Sequence, residues 1–203
     1  MPNPSTPRSL TDSDGTLRTS SSSPHLGQRG KEVQRFGTVH PQPIALSAEA
    51  RGESSQILNG ILADTIVLYS LYKKHHWLVA GPTFYELHLL FDKHAVEQLE
   101  LVDLLAERVQ SLGGIAVGDP RHAAELTHIE RPPDGAEEVP VMIGRLLGAH
   151  ETIIATIRRA IASTERNGDW GSNDLLMSDA LRRHELQVWF LAEHLVDVPL
   201  VDG

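Results

Sequence analysis

Two imidazoles and three carboxylates, His76, His88, Asp92, Asp103 and Glu107, are spaced along one stretch of the chain in a pattern that suits a metal. Such donors suit ferrous iron, manganese or zinc, and geometry decides among them. His76 precedes Pro82 by six residues and His88 follows it by six. Gly81-Pro82 stops one helix and starts another, so an antiparallel helix pair sets both imidazoles at one height above the turn. At about 100° per residue, Asp92, Asp103 and Glu107 fall roughly 40°, 60° and 100° around the second helix from His88. One face therefore carries an imidazole and three carboxylates among Leu and Val, which is costly to bury without a cation. His88 and Asp103 stand roughly 22 Å apart at about 1.5 Å per residue, so one copy cannot wrap the whole set around one site. Two copies packed about a two-fold axis can, with His88 and Asp92 of one facing Asp103 and Glu107 of the other. The alternative is a polar seam that only sets dimer register.

Helices must position this set. Ile57, Ile61, Leu62, Thr65, Leu68, Leu71 and Tyr72 share one face of a helix expected from about Ser54 to Val79. Thr83-x-x-Glu86 reads as a capping box opening the second helix, which ends at Gly113-Gly114. Residues 115–137 read as a long connection holding Pro120, Pro132, Pro133 and Gly135, with a short helix over 122–128. A third helix from about Val141 to Asn167 is expected to bury Leu146, Leu147, Ile153, Ile154, Ile157 and Ile161, and Gly168 ends it. The fourth starts near Asn173-Asp174 and carries Leu175, Leu176, Leu181, Leu186, Trp189, Phe190, Leu191 and Leu195. The fold class is all-α: a ferritin-like four-helix bundle with one long middle crossover.

The chain has 203 residues, no cysteine and a formal net charge of −9. Disulfides and thiolate metal sites are excluded, and the charge disfavours a surface uniformly attractive to nucleic acid. No apolar run is long enough for a membrane span and no signal-peptide pattern opens the chain, so it is expected to be cytoplasmic. Residues 1–53, rich in Ser, Pro, Gly and Thr, are expected to form a largely disordered tail. The bundle then spans 54–198 and a short tail 199–203. Arg8, Arg18, Arg29, Lys31 and Arg35 outnumber Asp12, Asp14 and Glu32 in the N-terminal tail, a thin charge density for binding DNA. Deleting the tail to about residue 45 is expected to leave assembly intact. His25 and His40 are isolated histidines there.

The pattern His76-x11-His88-x3-Asp92-x10-Asp103-x3-Glu107 resembles the ferroxidase signature of the Dps family, the miniferritins of starved and stressed prokaryotes. The flanking text agrees: HHW at 75–77, GPTFYELH at 81–88 and AERVQSLGG at 106–114. NDLLMSDALRRHELQVWFLAEHL resembles the last helix of the cyanobacterial and actinobacterial branch. The resemblance runs from about residue 54 to 197. It implies a hollow homo-oligomer of twelve subunits, with the short helix in the crossover, that oxidises Fe(II), preferably with hydrogen peroxide rather than oxygen, and stores ferric oxide. Asp92 and Glu107 would bind iron, His76 and His88 complete its coordination, and Asp103 orient or ligate from the partner. Zinc is a substitute in the same site. The other reading is a nucleoid protein that coats DNA non-specifically, with iron chemistry secondary.

Further residues carry weaker expectations. Trp77, beside His76, is either an electron donor or a dimer-interface aromatic. Glu97 and Glu100 lie between the two ligand pairs, where they seed oxide or are simply solvated. Asp169, Asp174 and Asp179 cluster near the start of the fourth helix, where the resemblance places pores for ferrous iron; Asp174 also reads as a cap of that helix. His184 is a candidate extra ligand. His75 is expected at the solvent or the subunit rim, and His94 lies off the ligand face.

Overall fold

In the computed structural model, which describes residues 31–197, Ser47 caps the first long helix, α1 (Ala48–Leu78): its hydroxyl accepts from the Ala50 N–H at 3.1 Å. α1 thus starts six residues before the expected Ser54. The residues ahead of it are fastened too. His40 N–H and the Gln34 side-chain amide both donate to the Gly113 carbonyl at 2.9 Å. Buried Arg51 donates to the carbonyls of His40 at 2.6 Å and Leu112 at 2.9 Å. Gly113 sits at φ +84°, and a Cβ there would lie 2.4 Å from the His40 oxygen. The ordered framework therefore reaches back to Gln34, and a boundary at residue 53 is too late because main-chain carbonyls, invisible in composition, anchor this strap. The chain divides into Met1–Val33 and Gln34–Gly203, and the helices belong to the second unit. The expectations placed on Arg8, Arg18, Arg29 and His25, and on the tail 199–203, lie outside the described residues.

α2 (Phe84–Ser111) follows the Gly81-Pro82 turn, but Thr83 makes no side-chain capping bond. Its φ of −98° and ψ of 17° depart from the extended conformation that aims a capping hydroxyl at the helix, so the expected capping box does not form. α3 (Pro120–Leu126) is the crossover helix, capped by Asp119. Two polar residues of α1 fix the crossover. Asn59 bonds both Ile115 O (2.9 Å) and Val117 N (2.8 Å), and buried Asp64 accepts from Thr127 Oγ1 and His128 N, each at 2.7 Å. α4 (Val139–Arg166) ends at Gly168 (φ +70°). The last column runs without a break through α5 (Trp170–Asp174), a π-helical stretch (Leu175–Leu181) and α6 (Arg182–Ala192).

The core is one cluster built on Leu58, Leu62, Leu68, Phe91, Leu101, Leu105, Leu146, Ile153, Ile157 and Leu191. In the last column the buried face is Leu176, Ala180, His184, Gln187 and Leu191, while Leu186, Trp189, Phe190 and Leu195 face outward. The apolar stripe expected there is corrected by two facts: the wider π turn shifts the helix phase, and hydrogen-bonded polar residues occupy core positions. Among the described residues there is no strand, and no helix is long and apolar enough to cross a membrane.

Candidate metal centre

The α1–α2 turn ends one helix and leaves its last carbonyls without intrahelical partners. His88 answers one of them: its Nδ1 lies 2.9 Å from the His76 carbonyl, and His76 Nδ1 lies 2.8 Å from the His88 carbonyl. A carbonyl only accepts, so each Nδ1 carries the proton and each Nε2 keeps a free lone pair. The rings stack 3.8 Å apart at 20°, and Phe84 backs His88 at 5.0 Å. His76 Nε2 stands 4.0 Å from Asp92 Oδ1. The turn thus brings together His76, His88 and Asp92 with both imidazoles in a ligating tautomer and no metal needed to order them.

Lys73, which sequence reasoning missed, donates to Asp92 Oδ1 at 2.6 Å. That bond comes first in holding the Asp92 carboxyl below its usual range. A divalent cation at Asp92 competes with this ammonium, whose position three residues before His76 on a helix is the signal that would have found it. Trp77 is 69% exposed, with Lys73 Nζ 6.0 Å from its ring centroid. Asp103 and Glu107 lie exposed further along α2. Among the described residues, no group of three or more His, Asp or Glu is assembled to hold a metal within one chain.

Other expected site residues sit elsewhere. Glu97 pairs with Lys93 and accepts from Gln187 at 2.7 Å, and Glu100 accepts from Arg183 at 2.8 Å, so cations of the same chain already answer both nucleation candidates. Asp169 is buried, caps α5 through the Ser172 N–H at 3.1 Å and pairs with Arg108. Burial pushes its carboxyl up, but bonds from Ser172 and Ser54 and the nearby Arg108 bring it below its usual range. It is a structural carboxylate rather than a pore residue, and it, not Asp174, caps this column. Asp174 and Asp179 remain exposed.

His184 is also corrected. It lies in the bundle centre, fully buried, with Nδ1 2.8 Å from His150 Nδ1. His150 Nε2 lies 2.6 Å from the Tyr72 hydroxyl, and His94 Nδ1 lies 3.2 Å from the same hydroxyl. Burial holds His94 down to about 4 and His184 to about 3. His75 points inward too, 1% exposed with neither ring nitrogen partnered, and burial lowers it to about 4. A surface cleft of about 430 Å³ lined by Phe36, Asn59 and His128 lies apart from all of these.

The model of the ferritin-like domain matches residues 55–201. An uncharacterised protein of Kitasatospora aureofaciens is 64% identical over 73% of this chain and 99% of its own length. A nutrient stress-induced DNA-binding protein of Nostoc is 34% identical over 84% of this chain and 92% of its own. DpsC from Streptomyces coelicolor superposes with a TM-score of 0.82 at 61% identity, over 85% of this chain and all of that one.

Proposed function

The chain belongs to the Dps family of ferritin-like proteins, and on that premise we propose that it is a ferroxidase that stores the iron it oxidises. The observation that carries this reading is the reciprocal His76–His88 pair, which presents two free Nε2 atoms beside Asp92 while Asp103 and Glu107 lie out of reach on the same helix. Each site is completed by Asp103 and Glu107 of a second subunit, giving two sites per dimer. Fe(II) is the substrate and zinc a competitor for the same donors. Hydrogen peroxide takes one electron from each of two ferrous ions and leaves as two hydroxides, so no hydroxyl radical is released. Twelve subunits enclose the ferric product, in the cytoplasm. Metal analysis beside an iron-oxidation time course with peroxide and with oxygen tests the chemistry. Sedimentation tests the assembly: a stable monomer with full oxidation activity would refute the split site.

A second reading has one observation in its favour. Relatives such as the Nostoc protein are named as DNA-binding. Non-specific coating of DNA through the N-terminal tail would protect it physically. A net charge of −9 opposes this, and a gel shift at low and moderate salt, with and without residues 1–33, decides it. No shift in any condition removes the reading.

A further inference from the structure

The bundle centre holds a polar chain that the metal site does not use. Each long helix column supplies one member: Tyr72 from α1, His94 from α2, His150 from α4 and His184 from α6, all at most 1% exposed. Apolar residues there would pack at less desolvation cost, so the chain calls for a reason beyond stability. The 2.6 Å contact between the Tyr72 hydroxyl and His150 Nε2 is the short one, and the 3.2 Å contact to His94 the long one, which places the phenol proton toward His150. His150 Nδ1–H then donates to His184 Nδ1, whose Nε2 has no partner. A phenol hydrogen-bonded to a neutral, water-excluded imidazole is arranged to lose an electron and a proton together. Tyr72 also lies one turn before His76 on α1, a rise of about 6 Å.

We propose that Tyr72 and His150 form a buried one-electron relay serving the ferroxidase site. The relay rests on the iron-oxidising reading above. Peroxide needs two electrons, and a site holding a single ferrous ion supplies only one. Tyr72 supplies the other: the O–O bond breaks, the phenol gives its electron to the oxidant and its proton to His150 Nε2. Peroxide, one Fe(II), the phenol and the imidazole become two hydroxides, one Fe(III), a neutral phenoxyl radical and an imidazolium. The oxidised phenol is a far stronger acid than imidazolium, so the transfer runs to His150 although burial keeps that ring well below its ordinary basicity. His184 Nδ1 spreads the charge by accepting the far proton. A later ferrous ion returns the electron, and His150 returns the proton. Because the proton never leaves the core, the cycle is reversible, and a half-filled site reduces peroxide without releasing hydroxyl radical.

Freeze-quench electron paramagnetic resonance on the assembled full chain tests this, with ferrous iron below one ion per site followed by peroxide. Wild type should give a tyrosyl signal that narrows when ring-deuterated tyrosine is incorporated. Tyr72→Phe, which keeps the ring and its packing, should lose that signal. His150→Gln, which keeps a hydrogen bond but no base, should shorten its lifetime, and Trp77→Phe should leave it in place. A signal undiminished in Tyr72→Phe, or no tyrosyl signal in wild type that oxidises iron rapidly, overturns the relay. Ferric absorbance from the same wild-type samples checks the reading beneath it. If no iron is oxidised, that reading fails, and a flash-generated one-electron oxidant then probes the pair without iron. Absence of a Tyr72 radical there removes the pair as well.

Discussion

The turn between α1 and α2 and the centre of the bundle each bring histidines together, with opposite results. At the turn, His76 and His88 spend one nitrogen each on a main-chain carbonyl and offer the other outward beside Asp92. At the centre, His150 spends both nitrogens, on Tyr72 and His184, and His184 ends the chain in a dry core. The same side chain is a ligand donor in one place and an internal connector in the other. What separates them is whether the second lone pair reaches a space that another subunit or an ion can enter.

The contrast breaks most visibly at the outward-facing set. His88→Ala and Asp103→Ala shells should each lose rapid iron oxidation by more than about 100-fold, since ligand loss should exceed the typical effect of removing an outer partner. In a mixed dimer of the two variants, one site collects both defects and the other none. Tagged heterodimers should therefore regain about half of the wild-type rate, as two-fold symmetry dictates. Confirmed heterodimers as inactive as their parents would show that the ligands do not meet across the axis.

Inward and outward carboxylates should differ in the same sense. Asp169→Ala removes a buried ion-pair partner and a helix cap, and should lower stability by about 3 kcal/mol in urea unfolding. Asp174→Asn and Asp179→Asn should stay within about 0.5 kcal/mol, and an effect of theirs on iron entry would appear only in uptake rate.

Acid sharpens the comparison further. The buried rings of His94 and His184 hold their pKa values at about 4 and about 3, against an ordinary value of 6.5. The unfolded chain then binds more protons than the folded one below about pH 6.5. This contribution is fully present above that pH and is lost as pH falls toward about 3, so the melting temperature should drop across that window. His184→Gln should flatten the drop, whereas His88→Ala, at the turn, should not. An unchanged slope in His184→Gln would show that the central rings do not set acid stability.

The smallest test is at the helix starts. Ser47→Ala removes a formed cap and should cost about 1 kcal/mol, while Thr83→Ala removes a hydroxyl that caps nothing and should cost less.

Sequence reasoning reached the turn because the His76 and His88 spacing about Gly81-Pro82 encodes its geometry locally, and helix angle carries Asp92, Asp103 and Glu107 onto one side. The four-helix architecture followed from apolar periodicity in the same way. The bundle centre was out of reach because Tyr72, His94, His150 and His184 come from four separate elements, and nothing local says that their rings converge. His75 was misplaced because its neighbours on the chain are charged or ligating, although its own Cβ points to Phe91 and the core. Thr83 was misread because the capping-box pattern names residue types, while the cap depends on ψ.

The π-helical stretch from Leu175 to Leu181 bears on how this chain tolerates insertions and deletions. A π turn accommodates one residue more than an α turn without breaking the column. Deleting a single residue there, such as Ser178, would let the stretch relax to α geometry and retain the helix. Everything after it would then be indexed differently against the bundle, by about 100° if the upstream part stays fixed. His184 and Gln187 would rotate out of the centre and Trp189 would be swept toward a new azimuth. The extra residue acts as a phase setting, and the inner chemistry of the bundle is keyed to it even though no atom of the stretch touches a reacting group.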